Sequence, residues 1–243
     1  MSTPYIGTSG FSYNHWKGMF YPEDLPATRW FQFYCNHFRT VELNNPFYRL
    51  PSFQAFHAWR EQSPDGFLFA VKASRYLTHI KRLKDPHEPL ERLLDNAAGL
   101  GEKLGPLLFQ LPPNFGPDLG RLRDLLELRK AADRWTIEFR HAGWFSDAVL
   151  ELLRASNVAL CIQDMTPGCP RVATADFVYT RFHGTHEHDG NYSDSTLRRH
   201  SREIEKWLDS GLDVYAYFNN DVGGHAVLNA AFMLKALHAE APA

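Results

Sequence analysis

Phe67-Leu68-Phe69-Ala70-Val71-Lys72 is apolar at five consecutive positions and then ends on a cation. A strand with one wet face alternates apolar and polar residues, whereas a strand covered on both faces is apolar throughout. Leu107-Leu108-Phe109 repeats the pattern further along. Such runs predict a parallel sheet wrapped by helices. Working outward, eight short runs rich in β-branched and aromatic residues are found: Tyr5–Thr8, Thr40–Leu43, Phe67–Val71, Pro106–Leu111, Trp135–Phe139, Ala159–Ile162, Phe177–Phe182 and Asp213–Phe218. Helical spacing fills most of the gaps, over Thr28–His37, Phe53–Gln62, Pro89–Leu100, Leu119–Ala131, Ser146–Ala155, Ser195–Asp209 and His225–Leu237.

Pro117-Asp118, Ser146-Asp147 and Ser193-Asp194 each place a side-chain acceptor where the first unpaired amides of a helix lie. Only Met165 to Asp176, short and rich in Pro and Gly, cannot hold a full helix between strands six and seven. The chain has no linker, low-complexity tract or internal repeat. Eight alternating units therefore predict an α/β fold, a single (β/α)8 TIM barrel over residues 1–243 with one degenerate helix, in preference to a doubly wound open sheet.

The 243 residues carry 26 Lys and Arg against 28 Asp and Glu, a net charge of −2. That balance argues against a surface built for nucleic acid. Three cysteines (Cys35, Cys161, Cys169) without paired spacing argue against a disulfide framework and for a reducing, cytoplasmic setting. The first ten residues lack a basic region followed by an apolar run, and no stretch approaches the roughly 20 apolar residues of a membrane span. Neither export nor membrane insertion is expected.

Polarity gathers where the apolar runs end. Glu42 and Asn44 close the second strand, Lys72 the third, Gln110 the fourth, Glu138 and Arg140 the fifth, Gln163 and Asp164 the sixth, Arg181 and His183 the seventh, Asn219 and Asn220 the eighth. Residues two apart in a strand share a face, so Glu42/Asn44, Glu138/Arg140 and Arg181/His183 each project together. The C-terminal mouth of a barrel is where its enzymes place their chemistry. Three cations (Lys72, Arg140, Arg181) and three carboxylates (Glu42, Glu138, Asp164) would meet there. They could form an ion-paired network that orders the mouth, or an anion clamp in which Arg forks bind a carboxylate or phosphate while Glu42 or Glu138 serves as acid or base.

Sharper motifs fare less well. His183, His186, His188 and Asp189 fit no standard zinc spacing and are expected to be surface groups, with no metal ligated. Gln110 stands at the end of the fourth strand and Arg181/His183 at the end of the seventh, against a two-carboxylate glycosidase arrangement. Gly7-Thr8-Ser9-Gly10 lacks the nucleophile-elbow form and reads as a turn. Gly223-Gly224 before a helix either admits a phosphate or makes a tight turn. Cys161 lies inside an apolar run and belongs to the core. Phe11, Tyr13, Trp16, Phe47, Tyr48, Trp144 and Tyr192 follow strand ends, either to stack on a ligand or to pack the mouth shut.

These residues also carry a resemblance. Ile6-Gly7-Thr8-Ser9-Gly10-Phe11, Val41-Glu42-Leu43-Asn44, Phe69-Ala70-Val71-Lys72, Gln110-Leu111-Pro112-Pro113, Glu138-Phe139-Arg140-His141 with Trp144, Tyr179-Thr180-Arg181-Phe182-His183-Gly184 and Tyr217-Phe218-Asn219-Asn220-Asp221 occur in the order of the YecE-like proteins, a bacterial and archaeal family classed as a domain of unknown function. The chain resembles that family along its whole length. The resemblance implies a TIM barrel and no particular reaction, and His186-Glu187-His188 departs from the family pattern.

The resulting expectation is an enzyme that hydrolyses or isomerises a small anionic metabolite without a cofactor. Glu42, Glu138 and His183 are the candidate catalytic groups. Lys72, Gln110, Arg140, Asp164, Arg181, Asn219, Asn220, Asp221, Tyr48 and Trp16 are the candidate binding groups. A metal-dependent sugar isomerase or nuclease-like barrel and a non-catalytic ligand-binding module are the alternatives. No Gly-x-Gly-x-x-Gly or P-loop motif is present.

Overall fold

Continuous apolar runs become strands that are buried on both faces. The computed structural model describes residues 2–184 and 189–237. Its strands are β1 (Pro4–Thr8), β2 (Thr40–Leu43), β3 (Leu68–Lys72), β4 (Leu104–Gln110), β5 (Trp135–Glu138), β6 (Ala159–Gln163), β7 (Phe177–Phe182) and β8 (Asp213–Phe218). All pair in parallel in the order β1-β8-β7-β6-β5-β4-β3-β2, so β1 and β2 meet at the seam of a nearly closed barrel. Strand bounds match the sequence expectation to within two residues.

The helices are α1 (Trp30–Cys35), α2 (Asn45–Tyr48), α3 (Phe53–Gln62), α4 (His87–Ala97), α5 (Leu119–Leu126), α6 (Asp147–Ala155), α7 (Asp194–Asp209) and α8 (His225–Ala236). Ser52, Asp118 and Ser193 cap α3, α5 and α7 by accepting from the amides of Ala55, Arg121 and Thr196. Ser146 makes no such bond, contrary to the reading of Ser146-Asp147 as a cap, and Asp147 in the first turn complements the helix dipole instead. Helix α5 stops at Leu126 rather than Ala131. Beyond it the Arg129 guanidinium gathers the carbonyls of Lys130, Asp133 and Ser156, which holds the chain after α5 in a turn against the end of α6. Residues 164–176 form turns where a barrel helix would stand, and Thr174 anchors them by accepting from the Leu160 amide and donating to the Val158 carbonyl.

Two apolar layers result. One lies between strands and helices. The other, Ala70, Leu108, Ala159, Cys161, Phe177, Tyr179, Tyr215 and Tyr217, fills the barrel interior below the mouth and includes Cys161 as expected. The mouth itself is therefore floored by packed side chains.

The seam is closed by only a few bonds. The Gly10 amide donates to the Glu42 carbonyl at 2.8 Å, and the Tyr34 hydroxyl accepts from the Thr8 amide at 3.0 Å while donating to the Thr40 carbonyl at 3.0 Å. A side chain thus replaces a rung of the ladder. Gly7 permits the approach, since a Cβ there would lie 2.3 Å from the Thr40 carbonyl oxygen. Replacing Tyr34 by Phe leaves a buried amide and a buried carbonyl unpaired. The expected cost is about 1–3 kcal/mol with an unchanged m-value in urea unfolding; an unaltered midpoint would show that the hydroxyl does not hold the seam.

Candidate functional site

Arg181 lies in the barrel interior at mouth height, 1% exposed, carried there by the inward face of β7 two residues above Tyr179. Its Nη2 donates to Glu42 Oε1 at 2.7 Å and its Nη1 to Glu138 Oε2 at 2.6 Å, which joins β7 to β2 and β5. Both carboxylates are fully buried. Glu42 also accepts from Ser9 Oγ at 2.6 Å and from the Tyr179 hydroxyl at 2.6 Å. Glu138 accepts from Gln110 Nε2 at 3.0 Å, has Cys161 Sγ at 4.0 Å and forms an ion pair with Arg140 Nε. Burial alone would raise the Glu138 pKa, but Arg181 and then Arg140 outweigh it and hold the carboxyl well below the usual range.

His183, expected among surface groups, instead has its side chain buried beside this cluster. Arg140 Nη2 lies 3.1 Å from its Nε2, and a guanidinium can only donate, so Nε2 accepts and Nδ1 carries the proton. The Asn219 amide, 3.1 Å from Nδ1, satisfies that proton when its oxygen is turned inward. Burial lowers the His183 pKa, with the cations beside it, against the pull of Glu138. The imidazole is neutral at physiological pH.

Lys72 ends β3 on the same inward face as Ala70. The side chain is about nine-tenths buried, and Nζ stands 4.2 Å from the centre of the Phe47 ring. Among the described residues it has no hydrogen bond or ion pair. Burial and then repulsion from Arg181 bring its pKa down to about 8, with Glu42 and Glu138 opposing. Next to it His79, pushed down to about 4 by burial, Lys72 and Arg75, packs edge-on against Phe47 with ring centres 4.9 Å apart. His79 belongs to a single π-helical turn, Tyr76–Ile80, followed by Arg82, Leu83 and Asp85 at φ of 48°, 61° and 45°. Such strained backbone persists only where the surroundings fix it, here by burial of Leu77 and Leu83. His79, Gln110 and Arg140, with Pro113, Met165 and Thr166, line a cavity of about 500 Å³ at the mouth.

The same-face reading of Glu138/Arg140 and Arg181/His183 is what brings these groups together. Other candidates fall elsewhere. Asp164 is exposed on the rim, where it accepts from the His183 amide and the Tyr192 hydroxyl. The expected balance of three cations and three carboxylates therefore becomes three cations around two carboxylates. Trp16 is fully buried and donates to the Asp221 carbonyl at 2.9 Å, so its ring braces a loop instead of facing the mouth. Asp221 also receives His15, and Asn220 donates to the Gly190 carbonyl at 2.8 Å, both within loop structure. Tyr48, 82% exposed, lines a separate groove of about 570 Å³ with Arg75, Tyr76 and Arg92. Gly223 and Gly224, at φ of 66° and 70°, form a left-handed turn before α8. His186 and His188 lie outside the described residues. Sequence reasoning missed Ser9 and Tyr179. The second was legible as the inward partner of Arg181 two positions away.

Arg181→Met strands two carboxylates in a sealed space and is expected to cost about 3–5 kcal/mol in guanidinium unfolding, with part recovered when Glu42 and Glu138 also become Gln. Because the folded Glu138 pKa is depressed, its contribution is complete above its ordinary value of 4.5 and is lost as pH falls below that toward the folded value. Acid titration of wild-type stability should show this loss, and Glu138→Gln should remove that part of the slope.

A family model described as "Protein of unknown function DUF72" matches residues 5–243. Curated relatives include the UPF0759 protein YunF of Bacillus subtilis, 26% identical over 97% of this chain and 95% of that protein. The UPF0759 protein YecE of Escherichia coli K12 is 31% identical over 46% of this chain and 42% of its own length. The crystal structure of a DUF72 family protein from Thermotoga maritima superimposes with a TM-score of 0.85 at 31% identity, covering 97% of this chain and 99% of that one. A DUF72 family protein from Enterococcus faecalis, 20% identical, shares the fold with a TM-score of 0.84 over 98% and 96%. The eight-stranded barrel, the family match and the YecE resemblance agree: the chain belongs to the DUF72 family.

Proposed function

We propose that the C-terminal mouth of this barrel binds a small anionic metabolite and transforms it by hydrolysis or isomerisation. One observation carries the reading: Lys72 is a nearly buried cation with no counter-ion among the described residues, beside a ring in which the two cations Arg140 and Arg181 are matched by the two carboxylates Glu42 and Glu138. Burying an uncompensated charge is costly, and an incoming anion would remove the cost. A cavity of about 500 Å³ suits a ligand of metabolite size.

Within this reading the deep cluster and the rim have different roles. Glu42, Arg181 and Glu138 hold one another, so Arg181 serves as a fixed positive centre whose Nη groups are already committed. Glu138, with its low pKa, is a weak base and positions Arg140 and Gln110. Arg140 and Lys72 meet the anion. The neutral His183 imidazole, held by Arg140 and Asn219, moves the proton.

Lys72→Met tests the reading because it separates stability from binding. The variant should lose at least ~10-fold in affinity for inorganic phosphate or small carboxylates by calorimetry, yet melt at a higher temperature than the free wild type. The lowered Lys72 pKa fixes the sign of a pH effect: unfolded chains bind more protons between about 8 and the ordinary 10.5, so wild-type stability rises with pH there. The difference between wild type and variant should shrink over that interval. Equal anion affinity, or a less stable variant, would overturn the assignment.

A further inference from the structure

The protein buries two lysines and treats them in opposite ways. Lys103 donates to the carbonyls of Arg60 and Ser63, both at 2.8 Å, and to Ser63 Oγ at 3.0 Å. All three of its donors are used, so it has a structural role. Lys72 has none of these bonds among the described residues, although Gln110, Ser9 and Tyr179 provide hydrogen-bonding groups around the neighbouring carboxylates. Its stem ends against the face of Phe47, and its Nζ is not among the sealed, unpartnered polar atoms of the interior. An ammonium pinned to a carboxylate has no lone pair to offer. An amine held in an apolar wall and opposed by like charges gives up its proton readily and becomes a nucleophile.

We infer that Lys72 is a covalent catalytic residue, whose amine adds to the carbonyl carbon of a small 2-oxo acid bound at the mouth. The inference rests on the proposed anion site and names its substrate class. Arg140 and His79 line the cavity, and Lys72 shares the Phe47 ring with His79, so the carboxylate of such a compound meets the Arg140 guanidinium and its carbonyl is left for Nζ. The Lys72 nitrogen forms a bond to carbon, giving a carbinolamine; the carbon–oxygen bond then breaks and the oxygen departs as water. Starting from the ammonium, two of its hydrogens leave in that water and the positive charge remains on the iminium, so no oxidant or reductant is consumed. The iminium is an electron sink at the carbon where a rearrangement must start. Phe47 and His79 shield it on one side.

The charged and titratable groups acting on Lys72 are Arg181, Arg140, Glu42, Glu138 and His79, from β7, β5, β2 and the turn after β3. With His79 and His183 neutral near pH 7, Lys72 itself is the group that titrates near 8.

The test uses the full chain with glyoxylate, the smallest 2-oxo acid, and cyanoborohydride to reduce any iminium to a stable amine, read by peptide mass spectrometry. Modification of Lys72 should run at least ~10-fold faster than at any other lysine, accelerate from about pH 6 to about 8 as the amine is freed, and slow when inorganic phosphate competes. Lys103 should stay unmodified. Lys72→Arg should retain glyoxylate binding by calorimetry without reductant while the adduct disappears. If Lys72 reacts no faster than exposed lysines although glyoxylate binds, the nucleophile is wrong and the anion site stands. If glyoxylate and phosphate both fail to bind, both readings fall.

Discussion

A guanidinium sealed inside a barrel sets the terms for everything around it. Removing Arg181 from water costs several kcal/mol, which only close, well-aligned counter-charges offset. Glu42 and Glu138 supply them from two other strands. Each carboxylate must then be satisfied in turn, which accounts for Ser9 and Tyr179 on Glu42 and for Gln110 and Arg140 on Glu138. The cluster joins β1, β2, β4, β5 and β7 at one height. It also stiffens the weakest part of the sheet, since Glu42 lies on the seam strand whose carbonyl receives the Gly10 amide.

A network so fully committed is poor at chemistry and good at placing other groups. Glu138, with its depressed pKa, is already a carboxylate with no proton to give and little tendency to take one, and the inner Arg181 cannot turn toward a ligand. Around it, burial first and neighbouring cations second lower the pKa of His183, His79 and Lys72, against the pull of the carboxylates. The groups left without a committed partner are therefore those at the edge of the cluster.

The strands and the inward pairing were legible in the sequence because period-two geometry is local: Glu138 and Arg140, or Arg181 and His183, share a face wherever the strand is placed. Ser9 read as a turn because its partner is 33 residues away, and nothing local to Gly7-Thr8-Ser9-Gly10 tells of a buried carboxylate. Asp164 read as an equal of Glu42 because both end strands. The chain after β6 turns it outward to Tyr192, a contact decided by a loop path. Trp16 and the other loop aromatics offered two readings, and burial decided for packing at Trp16, Trp144 and Tyr192.

By itself, the sequence determined the eight-unit α/β barrel, the missing helix between β6 and β7, the end of the barrel that carries polarity, and the family. Those follow from hydrophobic period and residue order, which each segment carries within itself. Only the tertiary structure decided which charges cancel. Arg140, Arg181 and Lys72 are alike as cations at strand ends. Closure of the barrel gives Arg181 two carboxylates and Arg140 one, and leaves Lys72 against an aromatic ring. Pairing depends on distance through space across strands, and the distinction between a paired and an unpaired cation exists only once the ring is closed.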